Sequence, residues 1–196
     1  MRKLNIGIDI DGTVTEPYYW LPRANRYFNT NVKPEEVTDY AIDKVLGIQR
    51  KDYDKFYATY GKALHSEAKI HPGVSEVLNR LAPDYGLHFI TAREETMRDV
   101  SVDWLRKYYL PLDTISLVGG QNKSHQAKKL HCEVFLEDCY ENALLLSEAG
   151  IHVLLLDCSY NKGPLPQNVT RVKNWYQIRH MIENISKQSQ TIPYAV

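Results

Sequence analysis

The sequence predicts an α/β fold: a doubly wound, mostly parallel sheet with a small helical lobe inserted after its first strand. Three observations predict it. Apolar runs of strand length recur along the chain with helical stretches between them. The runs are continuous, not alternating, which suits strands covered by helices on both faces. One long stretch, residues 15–71, carries no strand and breaks the alternation just after the first apolar run.

The runs are "LNIGIDI" (4–10), "LHFIT" (87–91), "TISLV" (114–118), "EVFLE" (133–137) and "IHVLLLD" (151–157), with a weaker sixth at "NVTRV" (168–172). Between them, "PGVSEVLNRLA" sets Pro72 near a first helical turn and spaces Val74, Val77, Leu78 and Leu81 along one face. "REETMRDVSVDWLRKYY" starts acidic and ends basic, as the helix dipole favours, and is expected to be helical from about Glu94. "YENALLLSEAG" closes on Gly150 as a C-terminal cap. "VKNWYQIRHMIENISK" makes a last amphipathic helix, followed by "QSQTIPYAV" as a loose tail. In the strandless stretch, "ANRYFNT", "PEEVTDYAIDKVLG" and "RKDYDKFYATYGKALHSE" carry helical spacing, and a structureless loop of that length does not fit a compact domain. The expected division is a core of residues 1–14 and 72–196 and a helical lobe of residues 15–71.

At 196 residues the chain is long enough for one such core with an inserted lobe. Basic and acidic residues number 24 each, so no global charge favours nucleic acid or an anionic membrane, and an anionic ligand must be held by a local site. Neither a signal-type segment nor an apolar stretch of membrane-spanning length is present. Cys132, Cys139 and Cys158 have no CxxC spacing, which excludes a disulfide framework or a thiolate zinc site as the organising feature. A soluble protein of the reducing cytoplasm is expected. The seven histidines show no HExxH or similar spacing, and none is expected to be a metal ligand.

Ligands of such sheets bind outside the carboxyl ends of the strands. There strand one ends in Asp9, strand two in Thr91, and strand four in Glu137 and Asp138. Asp9 and Asp11, two apart in extended backbone, would face one site while Ile10 packs away, and Gly12 permits a tight turn. If strands one and four are neighbours, three or four carboxylates converge, and their repulsion raises some pKa values unless a cation is present. Mg²⁺, which takes a few carboxylate oxygens and keeps several waters, suits that inventory. A phosphate would find the Thr91 hydroxyl, backbone N–H groups of the helix from about Glu94, and a point charge on Lys123. Lys123 is preferred to Lys128 because it precedes the short helix "SHQAKKL" and can reach the strand ends. "GGQNKS" is not a P-loop: Asn122 and Leu117 stand where that motif needs glycines.

"DIDGT", then "FITAR", then the lysine opening a helix in "NKSHQAKKL", then "FLEDCYENA" resemble, in order and spacing, the four motifs of the haloacid dehalogenase (HAD) superfamily of phosphohydrolases. The resemblance spans most of the chain from strand one to Gly150. The inserted lobe resembles a type 1 cap, and "DIDGTVTE" with "ITARE" is similar to the 5'(3')-deoxyribonucleotidase branch and its nucleotidase-like relatives. What the resemblance implies is a Mg²⁺-dependent phosphomonoester hydrolase working through an aspartyl-phosphate. Asp9 would be the nucleophile and Asp11 the general acid and base. Asp9, Asp138 and the backbone carbonyl of Asp11 would hold Mg²⁺, with Glu137 in its water shell or as an orienting neighbour. Thr91 and Lys123 would bind the phosphoryl oxygens.

A nucleoside monophosphate is the expected substrate. Most aromatic side chains of the lobe must form its core, but Tyr18, Tyr19 and Trp20 lie nearest the acidic loop in sequence and are candidates to stack a base. Arg93 would either aid substrate or cap binding or form a surface ion pair, and Asn142 would cap or brace the fourth loop. The loop 157–163, "DCSYNKG", would rim the site or form a plain turn. Alternative readings are a phosphatase for a sugar phosphate or other small metabolite, a phosphotransferase, and a non-catalytic binding protein. The complete set Asp9, Asp11 and Asp138 argues against the last. Neither a nucleic-acid polymer nor a membrane is an expected partner.

Overall fold

The computed structural model describes residues 4–191. Of the expected loose tail, residues 188–191 instead continue the last helix, and residues 192–196 lie outside the described residues. Strand β1 (Asn5–Ile8) is followed by α1 (Leu21–Phe28), a single 3-10 turn at Pro34–Glu36, α2 (Ile42–Leu46), α3 (Arg50–Glu67) and α4 (Val74–Leu81). Then come β2 (Gly86–Thr91), α5 (Arg98–Lys107), β3 (Thr114–Leu117), α6 (Lys123–Lys129), β4 (Val134–Glu137), α7 (Tyr140–Glu148), β5 (His152–Leu156), β6 (Val169–Val172) and α8 (Trp175–Thr191).

The six strands form one parallel sheet in the order β3-β2-β1-β4-β5-β6. The six apolar runs are these six strands. Their lack of alternation has a direct cause: β4 turns Val134 and Leu136 into one apolar cluster and Phe135 into the other. The first cluster packs the sheet against α4, α5 and α8 through Leu78, Trp104 and Trp175, and the second packs it against α6 and α7 through Ala127, Ala143 and Leu146. The chain winds from β1 to β2 and β3 on one side, then returns to β4 on the other. The crevice between β1 and β4 is therefore the point where the winding reverses, and a ligand-binding position.

Residues 21–67 supply three helices with their own apolar cluster, including Trp20, Leu21, Ala24, Val37, Leu46, Phe56 and Leu64. The chain enters and leaves this lobe side by side. Thr15 and Ile70 form an antiparallel bridge, Glu16 N donates to Lys69 O at 2.9 Å, and His71 N donates to Val14 O at 2.9 Å. Trp104 Nε1 and Tyr108 OH both donate to Ala68 O, at 2.8 and 3.0 Å, pinning the exit to the core helix α5.

Two helix starts differ from expectation. The segment after β2 is not α-helical from Glu94, whose backbone is extended; a 3-10 turn, Glu95–Met97, precedes α5. Pro72 lies ahead of α4, because Gly73 adopts φ +87° before the first helical residue. Among the described residues no helix is long and apolar enough to cross a membrane.

Gly7 on β1 shows how tightly the sheet is covered: a Cβ there would stand 2.3 Å from Cδ2 of Phe135, a fully buried ring. Gly7→Ala is expected to overpack this contact and lower the unfolding free energy by about 1–3 kcal/mol. A reduced urea midpoint with unchanged m-value is the measurement that checks it.

Candidate active site

The site is built where β1 and β4 run out. Asp9 directly follows β1, and its N–H continues the pairing by donating to Leu136 O at 3.0 Å. The chain then turns: Val14 N and Thr15 N both donate to Ile10 O at 2.9 Å, and Gly12 N donates to Thr15 Oγ1 at 2.9 Å. Gly12 has φ +86°, and a Cβ on it would lie 2.2 Å from Asp138 Oδ2. Glycine is needed here for the backbone and for the close approach of the neighbouring carboxylate.

One oxygen each from Asp9, Glu137 and Asp138 lie within 4.8 Å of one another, and all three residues are buried. Lys123, the first residue of α6, enters this cluster with its Nζ 2.6 Å from Asp9 Oδ1 and 3.0 Å from Glu137 Oε2. Asn122 caps that helix by accepting from Ser124 N at 2.8 Å, which aims the lysine inward, while Lys128 is exposed. Glu137 Oε1 also accepts from Asn142 Nδ2 at 2.9 Å. Glu137 is thus held between Lys123 and Asn142, which reaches it from α7. Thr91 is buried at the end of β2, where its Oγ1 accepts from Arg93 N at 3.3 Å.

Asp138 is held by two side chains that sequence reasoning did not single out. Thr13 Oγ1 donates to its Oδ1 at 2.9 Å, and Tyr160 OH donates to its Oδ2 at 2.6 Å. Tyr160 lies in the loop 157–163, which rims the cluster; buried Asn161 ties that loop down by donating to Asp138 O and Leu156 O, both at 2.7 Å. The strand-end rule points to this loop because it follows β5, but no local motif distinguishes it from a plain turn.

Burial pushes the Asp9 carboxyl well above its usual range; Lys123 opposes this, and Glu137 and Asp138 add to it. Burial and Glu137 push Asp138 up to about 7. The Lys123 ammonium is stabilised by Asp9 and Glu137 beyond what burial costs it. One ammonium against three carboxylates leaves a deficit that a single divalent cation would make good. The exclusively oxygen donor set fits a hard cation such as Mg²⁺. Cys139 beside them is an inert thiol, its pKa raised by burial.

Asp11 does not join the acidic cluster, contrary to expectation. The turn at Ile10 ends the extended backbone on which side-chain alternation depends, and Asp11 instead faces Arg93. Arg93 Nε donates to Asp11 Oδ2 at 2.8 Å and Nη2 to Oδ1 at 2.6 Å, while Nη1 reaches Ser101 Oγ at 2.9 Å. Arg93 is 3% exposed, so it is no surface ion-pair partner. Burial alone would raise the Asp11 pKa; Arg93 and His65 outweigh it and hold the carboxyl well below its usual range.

The three aromatic candidates separate. Trp20 is buried in the lobe's own cluster and offers no face to a ligand. Tyr18 OH shares a 2.7 Å hydrogen bond with Ser159 Oγ. Tyr19 OH donates to Asp11 Oδ1 at 2.9 Å. A further aromatic ring, Tyr40, stands at the rim 44% exposed, with its ring centroid 5.9 Å from that of Tyr160. Tyr40 and His65 were not anticipated, because their proximity to the aspartates depends on how the lobe folds back.

A parallel sheet reversing at β1/β4, with an aspartate pair after β1, a lysine opening α6 and a Glu-Asp pair closing β4, defines a HAD-fold hydrolase. Solved structures with this fold include a haloacid dehalogenase-like hydrolase, SP0104, from Streptococcus pneumoniae. It has TM-score 0.70 and 17% identity, covering 91% of this chain and 98% of that one. A HAD family hydrolase from Deinococcus radiodurans, solved with bound phosphate and sodium, has TM-score 0.64 and 17% identity over 92% of this chain and 95% of that one. The family model described as "5' nucleotidase, deoxy (Pyrimidine), cytosolic type C protein" matches residues 2–189, and the chain belongs to that family. A protein named as a nucleotidase from Clostridium acetobutylicum is 40% identical over 192 residues, 98% of this chain and 100% of its own. YqfW from Bacillus subtilis is 32% identical over 182 residues, 92% of this chain and 94% of its own.

The raised carboxyls set a pH dependence. In protein stripped of divalent cations, Asp138 titrates at about 7 when folded against 3.8 ordinarily, so the folded state binds more protons between those values. Stability from this group is fully present below pH ~4 and falls as pH rises to ~7. Asp11, with its depressed pKa, has the opposite sign and loses its contribution only as pH falls below the ordinary carboxylate range. Thermal melts across pH 4–7.5 are expected to show the decline, and Asp138→Asn to make it shallower, with Asp9 still contributing in the same direction.

Proposed function

We propose that the chain is a Mg²⁺-dependent nucleoside monophosphatase acting through an aspartyl-phosphate on Asp9. The observation that carries this reading is the buried cluster of Asp9, Glu137, Asp138 and Lys123 at the β1/β4 crevice, with a second aspartate two residues beyond the first. A pure binding protein has no use for carboxylates in two such different environments. Asp9, Asp138 and the backbone carbonyl of Asp11 would hold Mg²⁺, whose charge lets an anionic phosphoester approach a carboxylate.

Asp9 attacks phosphorus as the bond to the leaving oxygen breaks, and Asp11 gives that oxygen a proton. Water then attacks the acyl phosphate, its proton passing to Asp11, and free phosphate and the Asp9 carboxylate are regenerated. The Arg93 pair keeps Asp11 ionised before substrate arrives, the form that accepts the water's proton. The negative charge of an arriving phosphoester raises the carboxyl's proton affinity, so Asp11 takes up a proton from solvent as substrate binds, gives it to the leaving oxygen, and returns the one it takes from water to solvent when phosphate leaves. Lys123 and Thr91 hold the phosphoryl oxygens, and the lobe acts as a cap that excludes water.

Several features support a nucleotide as the substrate: the family's description, the name of the Clostridium relative, and the exposed Tyr40 ring beside Asp138 as a base-stacking face. A screen of phosphomonoesters with Mg²⁺, spanning deoxynucleoside and ribonucleoside monophosphates and sugar phosphates, tests it. Preferred turnover of nucleoside monophosphates is expected; preference for sugar phosphates would remove the nucleotidase reading, and no turnover would remove the phosphatase reading. Asp9→Asn is expected to lower kcat about 10⁴-fold or more with an unchanged circular dichroism spectrum. EDTA should abolish wild-type turnover and added Mg²⁺ restore it. Tyr40→Ala is expected to raise KM for nucleoside monophosphates about tenfold while leaving sugar phosphates unaffected, the size of a lost base–aromatic stack.

A further inference from the structure

The reaction above leaves one buried titratable side chain beside the catalytic acid without a role. His65, on the lobe helix α3, is 3% exposed, and both of its ring nitrogens are engaged. Nδ1 lies 3.2 Å from Tyr19 OH, and Nε2 lies 2.8 Å from Tyr57 OH, about two turns earlier on α3. Tyr19 in turn donates to Asp11 Oδ1 at 2.9 Å.

The direction of the chain follows from its end. An ionised Asp11 only accepts, so Tyr19 spends its proton there and its oxygen is left to accept from His65 Nδ1–H. In the tautomer that carries a proton on Nδ1 and none on Nε2, Nε2 is the acceptor and Tyr57 donates to it. The three groups therefore form one directional chain, Tyr57 to His65 to Tyr19 to Asp11, with each bond polarising the next.

We propose that His65, braced by Tyr57 and acting through Tyr19, is a positioning residue for Asp11. This rests on the reading of Asp11 as the general acid and base. Arg93 fixes the carboxylate plane from the core side, one donor to each oxygen. Tyr19 adds a second donor to Oδ1 alone, which leaves Oδ2 as the less occupied oxygen and the one that carries the proton. Because His65 and Tyr57 stand on α3, this choice is made only while the lobe is seated on the core. Proton transfer to the leaving group is thereby tied to the position of the lobe.

A leaving-group comparison isolates the effect. In single turnovers with enzyme in excess and Mg²⁺ present, Asp9 displaces the leaving oxygen from phosphorus. The alkoxide of a nucleoside monophosphate must be protonated by Asp11 as it departs, whereas p-nitrophenolate leaves from p-nitrophenyl phosphate without a proton. His65→Leu is expected to slow nucleoside release about tenfold or more and p-nitrophenolate release by less than about twofold. His65→Asn, which keeps a donor near the place of Nδ1, is expected to recover most of the loss. Tyr57→Phe, which removes only a hydroxyl, should show the same split at about threefold and serves if His65→Leu does not fold. Equal losses on both substrates, no rescue by His65→Asn, or unchanged or faster nucleoside release would overturn the proposal. A wild-type protein that releases neither product would instead overturn the phosphatase reading itself.

Discussion

The contact on which the rest of this site depends is the Lys123 ammonium lodged between Asp9 and Glu137, 2.6 and 3.0 Å away, with all three side chains nearly removed from water. A buried ion without a partner costs several kcal/mol, so the acidic ends of β1 and β4 are tolerable only if a cation reaches them. That requirement reaches outward. It fixes where α6 must begin, gives Asn122 its place as a cap, and engages Asn142 on Glu137 from the neighbouring helix α7. Burial raises the pKa values of Asp9 and Asp138, and the carboxylate charge that Lys123 leaves unmatched adds to the rise. The same deficit that makes the cluster take up protons makes it receptive to a divalent cation.

Two aspartates one residue apart end in opposite electrostatic environments. Asp9 sits among carboxylates and is pushed up, while Asp11 sits against a guanidinium and is pushed down. Pairs of titratable groups driven apart in this way mark a division of roles, which the proposed function assigns as a nucleophile and a proton carrier. The division comes from the turn after Ile10. Had the strand continued, both side chains would point the same way and repel; the turn sends one to β4 and the other to the loop after β2.

The strands were legible because each is buried on both faces, which leaves a continuous apolar run that no other element of this chain imitates. The residues at their ends were legible for the same reason: Asp9, Thr91, Glu137 and Asp138 interrupt such runs abruptly. Arg93 was legible as a residue but not as a partner, since one arginine after a strand reads alike whether it meets solvent or Asp11. Trp20 was legible only as an aromatic near the acidic loop and lies in the lobe's own cluster, Tyr160 was legible only through its loop, and Tyr40 and His65 were not legible at all. Their positions are set by helices folding back over the sheet, and an aromatic residue in a helical lobe carries the same local signal whether it fills the lobe or faces the crevice.

What the sequence determined by itself was the parallel sheet, the strand ends that carry charge, and the lysine that opens a helix beside them, because local hydrophobic periodicity and helix capping act over a few neighbouring residues. What only the tertiary structure decided was which of these charges meet. Asp11 pairs with Arg93 across 82 positions and Tyr160 with Asp138 across 22, and those pairings follow from the order of strands in the sheet and the seating of the lobe. Side chains far apart in sequence become partners when burial strips them of water and leaves each other as the available counter-charge or hydrogen-bond partner.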